Sequence, residues 1–94
     1  MPFLVVRHKI ADFGKWKPAF DSDADNRKEH GSQGGYILRN AEDTNEIVII
    51  LEWDSIKGMK EFVQSEKLKQ AMQAGTVSDT PDVFILEEAE RVTA

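Results

Sequence analysis

Residues 46–53 read Glu46-Ile47-Val48-Ile49-Ile50-Leu51-Glu52-Trp53, and Asp54-Ser55 follow at once. The run from Ile47 to Leu51 is apolar at every position and has the length of a strand, far short of the ~20 residues a membrane helix needs. A strand with one wet face alternates apolar and polar residues, whereas a strand covered on both faces does not alternate. This segment is therefore a strand that needs cover on both sides. Asp54 or Ser55 then caps a helix, because its side-chain oxygen can accept from the free amides of a first turn.

Upstream, Gln33 to Ala41 forms a strand, with Gly34-Gly35 marking a bulge or a close backbone approach. Glu42-Asp43-Thr44-Asn45 is a short polar turn, so strands two and three make an antiparallel hairpin. Downstream, Ile56, Met59, Phe62 and Val63 give the helix its apolar stripe. Ser65 opens a new turn or helix that continues the stripe through Leu68, Ala71 and Met72 until Gly75 ends it. Thr76 to Pro81 reads as a loop, Asp82 to Glu88 as the last strand, and the remainder as a polar tail. At the other end, Phe3 to Lys9 is the first strand and Asp12 a helix cap. Phe13, Trp16, Phe20 and Ala24 form one apolar stripe, with Pro18 expected to kink or split the helix. Asp21 to Asn26 is a weak helix former and a second candidate break. Arg27-Lys28-Glu29-His30 followed by Gly31 has the form of a helix end, a cationic last turn and then a residue free to go left-handed.

The order strand, helix, strand, strand, helix, strand is the split β-α-β plan: an α+β, ferredoxin-like βαββαβ unit with an antiparallel four-stranded sheet, one domain over residues 1–94. No internal repeat, low-complexity tract or linker interrupts it. Right-handed crossovers put both helical segments on one face. Phe3-Leu4-Val5-Val6, Ile47 to Leu51 and Val83-Phe84-Ile85-Leu86 are nevertheless apolar on both parities. The expected cover for the second face is another copy of the chain, a homodimer joined sheet to sheet. The plainer alternative leaves that face partly exposed or gives it to a different partner.

A net charge of −5 argues against nucleic acid, which calls for a clustered basic face. Lys57, Lys60, Lys67 and Lys69 do cluster, but Glu61 and Glu66 interleave with them, as on a solvated helix. There is no cysteine, hence no disulfide and no thiolate metal site, and no pair of histidines stands with a carboxylate at ligand spacing. Gly31-Ser32-Gln33-Gly34-Gly35 lacks the lysine and helix start of a phosphate loop. Met1 to Arg7 lacks a basic leader followed by a long apolar stretch, so a cytoplasmic chain with no membrane partner is expected.

His8 is the one histidine in a strand, and an imidazole can titrate near neutral pH. Pairing of strands one and three near Phe3–Trp53 sets His8 opposite Val48, and a hairpin closing around Asp43-Thr44 sets Val48 opposite Arg39. Opposed residues share a face. His8 and Arg39 would then lie in one row, about 10 Å apart across two strand spacings. Arg39 could hold a small acidic or phenolic ligand while His8 moves a proton. The bland alternative puts both at strand ends, in solvent or on a dimer rim. Trp16, Phe20, Trp53 and Phe62 could wall a pocket for a flat apolar ligand, or simply be core. Tyr36 donates a hydrogen bond if it faces such a cleft, although its edge strand favours exposure. His30 reads as a structural helix-end residue.

Around Trp53 and the following helix the chain resembles the dimeric α+β barrel superfamily, and within it the antibiotic-biosynthesis-monooxygenase-like domains. Those domains often show a tryptophan ending strand three, then a helix with a histidine, a serine three residues on and a bulky apolar residue three after that. Here Trp53, Ser65 and Leu68 match, and Phe62 stands in the place of the histidine. The resemblance covers most of the chain. It implies a dimeric barrel with a cleft between sheet and helices in each subunit. Activities in the superfamily range from cofactor-free oxygenation of polycyclic aromatic compounds to polyketide cyclisation and haem degradation. Against haem, Met72 occupies the position of the iron-binding histidine, and Arg7 or His8 that of a strand-one asparagine. Three expectations follow. One is an enzyme using His8, Arg39 and Trp53 on an aromatic or polyketide-like compound without metal or flavin, with Trp16, Phe20, Tyr36, Phe62 and Met72 binding the ligand. The second is a non-catalytic, ligand-binding or stress-associated barrel. The third is self-association alone, with the cleft filled by side chains.

Overall fold

A computed structural model of the chain describes residues 1–74 and 80–94. The expected helix end at Gly75 and most of the loop after it lie outside the described residues. The elements run β1 (Pro2–Lys9), α1 (Phe13–Ser22), α2 (Ala24–Glu29), β2 (Ser32–Asn40), β3 (Asp43–Trp53), α3 (Ile56–Val63), α4 (Glu66–Ala74) and β4 (Asp82–Glu87). The sheet order is β2-β3-β1-β4 and every neighbouring pair is antiparallel. This is the α+β, ferredoxin-like arrangement expected from the sequence. Among the described residues no helix is long and apolar enough to cross a membrane.

Caps fall where the side chains predict. Asp12 Oδ1 accepts from the Gly14 amide at 2.8 Å, and Ser55 Oγ accepts from the Gly58 amide at 3.0 Å. Ser65 starts a separate helix, its hydroxyl accepting from the Leu68 amide at 3.2 Å. Pro18 does not split α1. Both Pro18 and Gly14, whose carbonyl would have received the missing N–H, are exposed, so water can replace the lost bond. The break comes instead at Asp23. Gly31 ends α2 with φ +104°, the left-handed conformation expected of it.

The hairpin differs from expectation in register. Its turn is Ala41-Glu42, closing Asn40 on Asp43, and β3 begins at Asp43 rather than Glu46. Ladder partners are His8↔Ile47 and Arg39↔Ile47, each displaced by one residue from the expected Val48. The two displacements have the same sense, so His8 and Arg39 still share a row, with Ile47 between them. The glycine pair serves in both ways that were expected. Gly34 sits in a bulge at φ +92°, and Gly35 leaves no room for a Cβ against the Ile50 carbonyl.

Alternate residues of each strand divide cleanly. Leu4, Val6 and His8 of β1 and Ile47, Ile49, Leu51 and Trp53 of β3 face the helices. With Trp16, Met59 and Phe62 they make the core. Full burial of each apolar side chain among them contributes roughly 1.5–3 kcal/mol. On the opposite face lie Phe3, Val5, Val48, Ile50, Tyr36, Leu38, Phe84 and Leu86, and nothing among the described residues covers them.

Candidate functional site

A half-open cavity of about 70 Å³ lies between the sheet and the helices. Its floor is the middle of the sheet: Val6 and His8 from β1, Ile49 and Leu51 from β3. Trp16 and Phe20 of α1 form one wall, stacked with centroids 5.0 Å apart at 29°. Phe62 of α3 stands in the wall with Leu68, Ala71 and Met72 of α4. Asp23, at the α1–α2 junction, and Arg27 of α2 are the charged members of the lining.

His8 is 3% exposed, its ring set edge-on to Trp16 at 6.0 Å. Its Nδ1 lies 3.5 Å from the Lys9 carbonyl oxygen, at the outer limit of a hydrogen bond. Arg27 lays its guanidinium on Phe20, 3.8 Å from the ring centroid, and donates through Nη1 to the Phe20 carbonyl at 2.7 Å. Burial lowers the Arg27 pKa, opposed by Asp23 and Asp21, and the group remains a cation. Asp23 is 5% exposed. Burial raises its pKa, against an Asn26 hydrogen bond and the nearby positive charges, Arg27 first. Its Oδ2 is buried with no hydrogen-bond partner among the described residues. Asn26 Nδ2 donates to Ser65 Oγ at 3.1 Å, which ties α2 to the start of α4 and holds the Leu68–Met72 wall in place.

Of the residues proposed from sequence, His8, Trp16, Phe20, Phe62 and Met72 meet at this cavity. Three do not. Tyr36 pairs with Ile50 and so points to the uncovered face, 69% exposed. Trp53 is fully buried behind Phe62, ring centroids 5.0 Å apart, and backs the wall without lining it. Arg39 shares the helix-side row of His8, but its guanidinium rests 4.5 Å from the Phe13 ring centroid, on an edge strand away from the cavity. Conversely, Asp23 and Arg27 were missed. They continue the Trp16–Phe20 stripe at spacings of three and four, the signal that could have found them; the expected stripe residue, Ala24, is exposed. His30 caps α2 and accepts or donates at Nδ1 to the Asn26 carbonyl, 2.8 Å away, as a structural residue would. Among the described residues no group of three or more His, Asp or Glu side chains is placed to hold a metal ion.

Sheet order, one-sided helices and a cavity between the layers define a ferredoxin-like α+β domain, with the fold of the antibiotic-biosynthesis-monooxygenase-like proteins. SnoaB from Streptomyces nogalater, described as a cofactor-independent oxygenase, matches with a TM-score of 0.80 over 99% of this chain and 97% of that one, at 14% identity. A Caulobacter crescentus protein, provisionally described as an antibiotic biosynthesis monooxygenase, matches with a TM-score of 0.76 over 95% and 90% of the two chains, at 18% identity. A Bordetella bronchiseptica protein of the same description gives 0.77 over 95% and 97%, at 12% identity. At these identities the likeness is one of fold. No family model and no curated protein matches the chain.

Proposed function

We propose that the chain is a small-molecule-binding subunit of a homodimeric α+β barrel, and that its cavity takes a flat aromatic or polyketide-like compound for cofactor-independent, monooxygenase-like chemistry. The observation that carries this reading is the placement of one imidazole, His8, among the rings of Trp16, Phe20 and Phe62 in a half-open cavity. The cavity is about half the ~150 Å³ that accommodates benzene in an apolar interior. Its open side makes up the difference: one ring enters and the rest of a larger compound lies in the mouth.

In oxygenation without metal or flavin, the electrons that reach O2 come from the substrate. Removing a proton from a phenolic O–H or an acidic C–H makes the substrate electron-rich. His8 is positioned to take that proton, a role imidazole serves more often than any other side chain. Trp16 and Phe20 hold the ring flat, and Met72 adapts to its edge. Arg39 acts on this reading as a steering charge two strands from His8, not as a group touching the bound ring. The uncovered apolar face supports the homodimer. The fold likeness to SnoaB, described as a cofactor-independent oxygenase, supports the reaction class.

The test is a panel of mono- and bicyclic hydroxyarenes, scored by oxygen uptake, product mass and quenching of tryptophan fluorescence. His8→Ala should lower kcat by about 10²-fold or more while leaving the ligand Kd within a few-fold. Unchanged turnover removes the acid–base role. The small cavity also favours a second reading, a non-catalytic ligand-binding or stress-associated barrel, which predicts saturable quenching with no oxygen consumed.

A further inference from the structure

We infer that Asp23 anchors the ligand, its Oδ2 accepting a hydrogen bond from a neutral hydroxyl on the ring that enters the cavity. The inference rests on the aromatic pocket proposed above and adds the chemistry that the ring must carry.

Asp23 lines the cavity and is 5% exposed, and among the described residues nothing donates to its Oδ2. A carboxylate oxygen left without a donor is among the least favourable states of a protein interior. The neighbouring donors do not reach Oδ2. The Arg27 guanidinium lies flat on Phe20, and its Nη1 donates to the Phe20 carbonyl. The Asn26 side-chain amide donates to Ser65, and its hydrogen bond to the Asp23 carboxyl group still leaves Oδ2 without a donor. As a helix N-cap, Asp23 accepts from no backbone amide of the first turn of α2. The chain thus places a carboxylate where the Trp16–Phe20 stripe calls for an apolar residue, and leaves one oxygen of it unsatisfied.

The missing donor is assigned to the ligand by the walls around it. Trp16, Phe20 and Phe62 present ring faces and edges, which select a flat apolar body. Arg27 already supplies positive charge beside Asp23, so a cationic ligand would meet a like charge in an apolar setting. A neutral hydroxyl has no such conflict, and its O–H bonded to a carboxylate is a strong, short interaction. The ligand class is therefore a hydroxyarene bound ring-first, with its hydroxyl toward the α1–α2 junction.

Phenol and fluorobenzene have rings of the same size, but only phenol carries a donor. Each is titrated into the wild-type protein, Asp23→Leu and Asp23→Asn, and binding is followed by tryptophan fluorescence and ligand-observed NMR. The wild type should bind phenol at least ten-fold more tightly than fluorobenzene. Asp23→Leu should abolish that preference while leaving fluorobenzene affinity within a few-fold. Asp23→Asn, which keeps an acceptor oxygen and the side-chain volume, should retain a reduced preference. Equal wild-type affinity for the two probes would mean that the ligand hydroxyl does not reach Oδ2; it would overturn the anchoring role and leave the aromatic pocket standing. Binding of neither probe would overturn both. A preference unchanged in Asp23→Leu would overturn the assignment to Asp23. Should Asp23→Leu not fold, the wild-type comparison and the Asn variant decide the matter.

Discussion

Asp23 has a consequence for stability apart from any ligand. Burial raises its pKa more than the Asn26 hydrogen bond and the charges of Arg27, Lys67 and His30 lower it. The folded chain therefore holds the Asp23 proton more tightly than the unfolded chain does. Its contribution to stability is complete below the ordinary aspartate pKa of about 3.9 and is lost as pH rises through the raised folded value. Asp23→Asn is neutral throughout. Its melting temperature relative to wild type should become more positive between about pH 3.5 and pH 7, a window that begins below the ordinary aspartate value. Calorimetry of both proteins across that range checks this, and a flat or falling difference would show that Arg27 outweighs desolvation. The same residue shows where sequence reading stopped short at the site. Trp16, Phe20, Phe62 and Met72 were legible because large apolar residues at helical spacing must face the sheet. Asp23 and Arg27 occupy the same stripe, but a polar residue there reads as a break, and Asp21 to Asn26 invites that reading. Strand parity assigns Arg39 to a face; it says nothing about how far along the sheet the cavity extends.

At the level of elements, the fold was legible wherever composition forced an outcome, and blurred wherever several turns were chemically equivalent. Asn40, Asp43 and Asn45 all favour turns. In the hairpin Asn40 Oδ1 accepts from the Glu42 amide and Asp43 Oδ1 from the Asn45 amide, two consecutive side-chain turns that fix closure at Ala41-Glu42. Nothing local in the sequence ranks this closure above one at Asp43-Thr44, and the irregularity between Arg39 and Asn40 then sets Arg39 opposite Ile47 instead of Val48. The row of His8 and Arg39 survived because the displacement of β1 on β3 matched that of β2 on β3. The glycines were more informative, since Gly35 is required by contact. A Cβ there would collide with the Ile50 carbonyl, and a paired strand cannot yield cheaply. Gly35→Ala should cost about 1–3 kcal/mol, as overpacking typically does, with an unchanged denaturant slope. Urea unfolding measures it, and an unchanged midpoint would mean that β3 shifts to make room.

For the whole molecule, the consequence lies on the sheet face away from the helices. Tyr36 and Phe84 lie at the two ends of the row Tyr36–Ile50–Val5–Phe84, while Leu38 and Leu86 lie in the rows on either side. Between 46% and 69% of each of these four side chains is exposed, in a contiguous patch of the kind that soluble monomers rarely leave open. Arg7 and Glu52 are charges within this face, and Arg7 is paired to Glu46 and Asp82 at 3.1 Å each. A second copy laid across the sheet would therefore cover a cation already compensated, avoiding the cost of burying a lone charge. Two copies related by a two-fold axis would each contribute the same apolar rows, as a closed dimer requires. On this basis the protein should run as a dimer by chromatography with light scattering at micromolar concentration. Phe84→Asp puts a carboxylate into the interface from an edge strand, where the isolated domain tolerates it. It should weaken association by at least about 30-fold, the loss of one hot-spot residue, while the far-ultraviolet circular dichroism stays that of the wild type. A wild type that elutes as a monomer, or a Phe84→Asp variant that still dimerises, would show that this face meets something other than a second copy.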